Sequence, residues 1–171
     1  LRIDEVREQW RDPLWRLHNL YFIVDELGQR VLFRPREAQL RYLQDATERD
    51  IILKSRQHGF TTLMCLIALD ECLFNPNWRA AVIAHNLRDA KTIFQTKVKY
   101  PYDNLPDSLK ATVATKRDSV DEIVLTNNST MSVTTSARSG TLNRLHISEF
   151  GKICAQYPQK AQEVVTGSFP A

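Results

Sequence analysis

No apolar stretch of bilayer-spanning length occurs in these 171 residues, and no basic-then-apolar leader stands at their start. The expectation is a chain neither secreted nor inserted into a membrane by its own signals. Cysteine is scarce, and the three present, Cys65, Cys72 and Cys154, have no C-x-x-C spacing. That argues against a metal site or a disulfide framework and for buried free thiols in a reducing compartment. Cys65 and Cys72 lie seven apart in one helical stretch, hence on one face. Charge of one sign is modest too: a net charge of +3 permits contact with nucleic acid but falls short of a strongly basic domain. No internal repeat, low-complexity tract or interdomain linker breaks the chain, so one domain with one core is expected. The leading Leu1 and the tailless ending Ser168-Phe169-Pro170-Ala171 suggest a piece cut from a longer protein.

What is present alternates between two periodicities. Residues 1–20 read as helical, with Trp10, Leu14, Leu17 and Trp15 on one side and a second start at Pro13 capped by Asp12. Tyr21 to Val24 and Val31 to Phe33 flank Asp25-Glu26-Leu27-Gly28-Gln29 as a hairpin. Pro35 opens a helix over 36–43 with Leu40 and Leu43 inward, followed by a short strand at 51–54. Residues 61–74 are apolar nearly all round, as suits a helix lying against a sheet. Arg79 to His85 reads as a buried strand, and Asn86 caps a helix running to about Tyr100. Pro101 to Leu109 reads as loop with a helical turn. Ser119 to Thr126 and Ser129 to Thr135 form a hairpin around Asn127-Asn128, Leu142 to Glu149 a strand ending in an acid, and 158–167 a last helix. Strands alternating with helices give an α/β class: a mostly parallel central sheet flanked by helices on both faces, decorated by the N-terminal β-hairpin.

The stretch around which this is organised is Lys54-Ser55-Arg56-Gln57-His58-Gly59-Phe60-Thr61-Thr62. It reads as a strand, a tight loop closed by one glycine, and a helix start carrying two hydroxyls. Backbone N–H groups and the helix dipole would converge there on one anion, as in a phosphate-binding loop. The usual pattern is G-x-x-x-x-G-K-[ST]. Aligned on Gly59, Thr61 takes the hydroxyl position, Phe60 replaces the lysine and Lys54 replaces the first glycine. An ordinary strand-to-helix turn explains these residues equally well. The strand Leu145-His146-Ile147-Ser148-Glu149 raises the interest, because ligands of parallel sheets sit beyond the carboxyl ends of strands. Thr61 and Ser148, with Glu149, would hold Mg²⁺ or its waters, and Glu149 would polarise an attacking water. Arg56, or Arg138 in the loop 136–141, would neutralise charge on a transferred phosphoryl group, although a solvated loop arginine explains Arg138 as well. Gln39 stands where it could bond an adenine edge, and an exposed helix glutamine is the alternative. Lys91, Lys97, Lys99, Lys110, Lys116 and Arg117 make the middle of the chain its most basic part, either for DNA or as a solvated face.

Gln39, the 54–62 segment with its Ser-Arg-Gln-x-Gly core, Val82-Ile83-Ala84-His85, the acid-ended strand to Glu149 and the ending Glu163-Val164-Val165-Thr166-Gly167-Ser168 occur in one order. Together they resemble the N-terminal ATPase domain of the large terminase subunit of tailed bacteriophages, over most of 20–171. The resemblance implies a P-loop NTPase fold, with 1–35 as an extension and 36–171 as the nucleotide-binding core. It implies ATP and Mg²⁺ as cofactors and a nucleotide site of Gln39, Lys54, Ser55, Arg56, Gln57, His58, Gly59, Phe60, Thr61 and Thr62. It also implies a motor that drives double-stranded DNA into a procapsid, working in the host cytoplasm and transiently at the portal. Its partners would be the DNA, the portal protein, the small terminase subunit and further copies in a ring of five. A separate C-terminal nuclease domain is implied, so this piece itself should not cut DNA. Two departures stand out: a displaced lysine at Lys54, and Ser148-Glu149 where the family carries an Asp-Glu pair. A helicase-like translocase and a non-catalytic docking module are the alternatives.

Overall fold

The computed structural model describes residues 8–55, 57–136 and 141–168. Helix α1 (8–11) leads into α2 (Pro13–Asn19), where Pro13 sits in the first turn and the Asp12 carboxylate accepts Leu14 N–H at 2.9 Å. Strands β1 (Phe22–Val24) and β2 (Arg30–Leu32) then pair antiparallel. Asp25 shapes their turn, its Oδ1 accepting the N–H groups of Leu27 and Gln29. Next come α3 (Glu37–Asp45), α4 (Phe60–Phe74), β3 (Arg79–Ile83) and α5 (Leu87–Phe94). A π turn over Gln95–Lys99 follows, then α6 (Tyr100–Asp103) and α7 (Asp107–Thr112). Strands β4 (Thr115–Asp118), β5 (Glu122–Leu125), β6 (Thr130–Thr134) and β7 (Arg144–Ile147) lead to α8 (Phe150–Gln156) and α9 (Pro158–Ser168).

The sheet runs β4-β5-β6-β3-β7. β3 pairs parallel with both β6 and β7, while β4–β5 and β5–β6 pair antiparallel. The sheet is therefore mixed, and the expectation of a mostly parallel one is corrected. Tight turns join β4 to β5 and β5 to β6, and a short reversal such as the three-residue loop 126–128, closed by left-handed Asn128, returns the chain antiparallel. Helices do cover both faces. On one, Leu63, Leu66, Leu69 and Leu73 of α4 join Ala80, Val82, Met131 and Val133 in the main core. On the other, Ile83 packs with Ile153 of α8 and Ala161 and Val164 of α9, with Leu145 and Ile147 of β7 against them.

The strand expected at 51–54 does not form. Ile51 and Leu53 are each 98 % exposed, and only Ile52 touches the core. A strand exists only where a neighbour takes its N–H and C=O groups, and the described sheet offers this segment none. The helix expected from Asn86 to Tyr100 widens to the π turn just before Pro101, which has no N–H for the carbonyl four residues back. Pro101 to Leu109 is more helical than expected, lying in α6 and the start of α7. On α3 the fully buried side chain is Gln39, with Leu40 and Leu43 only half-buried. On α2, Leu14 is exposed and Arg16 is buried in its place. Cys65 and Cys72 are buried free thiols, whereas Cys154 is exposed. No helix among the described residues is long and apolar enough to cross a membrane.

Candidate functional site

The loop before α4 is built by hydrogen bonds to α3. Gln39 accepts the N–H of Arg36 on Oε1 (2.9 Å) and donates from Nε2 to the carbonyl of His58 (2.9 Å). Arg36 donates from Nη1 to the carbonyl of Gln57 (2.9 Å). Ser55 Oγ meets His58 Nε2 at 2.7 Å, closing the loop on itself. Gln57 and Gly59 both lie in the left-handed region, at φ 66° and 67°. A Cβ on Gly59 would stand 3.0 Å from Gln39 Nε2, so glycine is required here both by its φ and by the close approach. The amide of Gln39, expected at an adenine edge, is buried and spent on bracing this loop.

From this loop α4 starts at Phe60. The first N–H groups of a helix have no intrahelical acceptor and point out of its N-terminus, where the dipole adds partial positive charge. The first turn carries three different functions. Phe60 turns into the core and meets the ring of Tyr42 edge-on, with centroids 5.7 Å apart. Thr61 Oγ1 lies 3.3 Å from Ser148 Oγ, just past the end of β7. Thr62 Oγ1 accepts a hydrogen bond from Lys97 Nζ at 2.9 Å.

The β3–β7 pairing makes the meeting of Thr61 and Ser148 possible. Ile83 pairs with Ile147, and Ser148 N–H donates to the Ile83 carbonyl at 2.8 Å, so both strands end at one level. Along β7, Leu145 and Ile147 face α8 and α9, which by alternation turns Arg144, His146 and Ser148 toward α4. Arg144 is paired with Glu71 of α4, Nε to Oε2 at 2.9 Å. His146 lies between, and burial, helped by the nearby charge of Lys54, pushes its imidazole down to about 4, so it is neutral at pH 7. Lys54 itself is exposed, its ammonium close enough to be felt on β7. The described geometry thus brings Thr61 and Ser148 together at one end of the sheet.

Glu149 adopts φ 56°, ψ 42°, a left-handed conformation costly for a non-glycine residue. Its half-exposed carboxylate stands 3.7 Å from His85 Nδ1 and 3.5 Å from Lys152 Nζ. Of the remaining expected site residues, Arg56 and Arg138 lie outside the described residues. Among the described residues no three His, Cys, Asp or Glu side chains cluster to hold a metal. Thr61 and Ser148 nevertheless supply the hard oxygen donors that Mg²⁺ favours alongside waters and substrate phosphates. Their mutual contact, longer than an ordinary O–H···O bond, is weak and readily exchanged.

Lys97 and His85 escaped the sequence reading as members of this site. Lys97 is brought to Thr62 by the π turn, which no periodicity announced. For His85 a signal existed, since it is a polar residue two past the end of a buried parallel strand. Of the other basic residues of the middle region, four are engaged locally: Lys99 with Asp103 and Asp118, Lys110 with Asp107, Lys116 with Asn128, and Arg117 with Glu122. Compared with protein families and with curated proteins, the chain matches none.

Proposed function

We propose that this chain is the ATPase domain of a viral DNA-packaging terminase large subunit, a motor acting on double-stranded DNA with portal protein, small terminase subunit and copies of itself as partners. The observation that carries the reading is the contact of Thr61 with Ser148, which joins a glycine-closed helix start to the end of a parallel strand. In support, Ser148 is followed directly by Glu149, the carboxylate this reading assigns to activating water.

In this reading the N–H groups at the start of α4 cradle the phosphates, and Lys54 folds over them to supply the full cation that Phe60 cannot. Lys97 keeps Thr62 oriented at the same end of α4. Thr61 and Ser148 are the oxygens that would hold Mg²⁺, which when bound neutralises phosphate charge. Glu149 orients and deprotonates the water, a role suited to a carboxylate with access to solvent. A non-catalytic docking module is the second reading, and one observation favours it: Phe60, at the usual lysine position, is committed to the core against Tyr42.

Phosphate release by the full-length chain with Mg²⁺, ATP and double-stranded DNA tests the proposal, alongside calorimetric titration of nucleotide. Glu149→Gln should retain binding and lose roughly 10²-fold in turnover. Ser148→Ala should lose less, and Lys54→Ala should weaken binding and abolish turnover. Binding without turnover in the wild-type chain would favour the docking module. Absence of nucleotide binding would refute the ATPase reading.

A further inference from the structure

His85 and Asn86 follow β3, and their side chains define one proton unambiguously. Asn86 Oδ1 accepts the N–H of Asp89 at 2.8 Å, which fixes the amide orientation and leaves Nδ2 to donate to His85 Nε2 at 2.6 Å. Nε2 is therefore an acceptor without a proton, and the imidazole carries its hydrogen on Nδ1. That single N–H faces two carboxylates: Asp89 Oδ2 at 3.0 Å and Glu149 Oε2 at 3.7 Å. The residue is held through its backbone as well. Lys160 of α9 donates to the His85 carbonyl at 3.1 Å, and the imidazole itself is buried. Glu149 has Lys152 as its other charged neighbour, at 3.5 Å.

We propose that His85 is the positioning residue for Glu149: its Nδ1–H is a donor for which Asp89 and Glu149 compete, and the share Glu149 takes sets the direction of its carboxylate at the end of β7. The ring is rigidly placed by Asn86 and by burial, whereas Glu149 is half-exposed on a strained backbone, so the mobile partner is the carboxylate. A fixed donor beside a mobile general base is how a site holds that base in a productive direction. Asp89, on the first turn of α5, keeps the donor from being captured outright, so Glu149 stays exchangeable between His85, Lys152 and water.

This inference rests on the ATPase reading for its consequence, and on geometry alone for the pairing. Steady-state turnover is compared for full-length wild type, His85→Ala, His85→Asn and His85→Gln. Asparagine can place its Nδ2 where the imidazole Nδ1 stands, whereas glutamine reaches only the Nε2 position. His85→Ala should lower kcat ~10-fold or more with the ATP KM held within about twofold, because the hydrogen bonds and ion pairs of His85 run to Asn86, Asp89, Glu149 and Lys160 and not to the described residues of the loop 55–62. His85→Asn should recover most of the loss and His85→Gln should not. Should the alanine variant fail to fold, the Asn–Gln difference decides alone. Unchanged kcat in His85→Ala, or asparagine no better than glutamine, overturns the proposal. The second readout needs no nucleotide: the ¹⁵N resonances of the His85 ring should show a protonated Nδ1 and a bare Nε2, and Glu149→Gln should move Nδ1. An unmoved Nδ1 overturns the pairing. A wild-type chain without turnover overturns the ATPase reading, while the resonance still decides whether His85 holds Glu149.

Discussion

Gly59→Ala probes the loop at its tightest point, and its cost can be worked from two sources. The φ of 67° places any L-residue in the left-handed region, at ~1 to 2 kcal/mol. The added methyl would also stand 3.0 Å from Gln39 Nε2. A flexible side-chain end could retreat cheaply, but this one is buried and donates to His58, so retreat strains a part-buried hydrogen bond worth ~1 to 2 kcal/mol. The sum is about 2 to 4 kcal/mol, and for a chain of this length each kcal/mol lowers Tm by ~2 to 4 °C. Urea unfolding and calorimetry of wild type, Gly59→Ala, Gln39→Ala and the double variant measure both parts. In the double variant the clash has no partner, so it should be more stable than the sum of the singles implies, by ~1 kcal/mol. Strict additivity would refute the close approach. A Gly59→Ala loss below about 0.5 kcal/mol would refute the whole account.

Other outcomes follow from the buried charges and thiols. His146 has its imidazole depressed to about 4 against an ordinary 6.5, so the unfolded chain binds the extra proton. Its contribution is present above pH 6.5 and lost as pH falls toward 4, by up to about 3 kcal/mol; His146→Leu should flatten that slope in urea unfolding. Arg16→Met should cost about 3 to 5 kcal/mol in calorimetry, because it strands the carboxylate of Asp70, which Arg16 grips from Nε (2.9 Å) and Nη2 (2.6 Å); a loss under 1 kcal/mol would contradict this. Cys65 and Cys72, both pushed up to about 12 by burial, should resist an aromatic disulfide reagent at pH 8 while Cys154 reacts, so a native count above one thiol would contradict the packing.

Some of the architecture is legible in residue order alone, because its cause is local. A surface apolar nearly all round, as over Leu63–Leu69 and Cys72–Phe74, suits a helix buried on most sides, and that is α4. Asp12 before Pro13, Asn86 before Leu87 and Asn127-Asn128 between two β-prone runs determine their caps and turn through their own side-chain oxygens and backbone freedom. The meeting of 61 with 148 was inferable as well, since a helix start and a parallel strand end belong to one rim of a sheet. Ile51 to Lys54 shows the limit: β-propensity describes a segment, but a strand is a relation between two, and the tertiary structure supplied no second edge. The same holds for the polar core. Arg16 is buried because Asp70 and the Trp10 carbonyl receive it, and Gln39 because Arg36 and His58 fill its amide. Those partners lie up to 54 residues away, and no periodicity records them. Burying a polar group is favourable only where its hydrogen bonds are met, so which polar residues enter the core, and which end up beside Glu149, is decided only when the chain closes on itself.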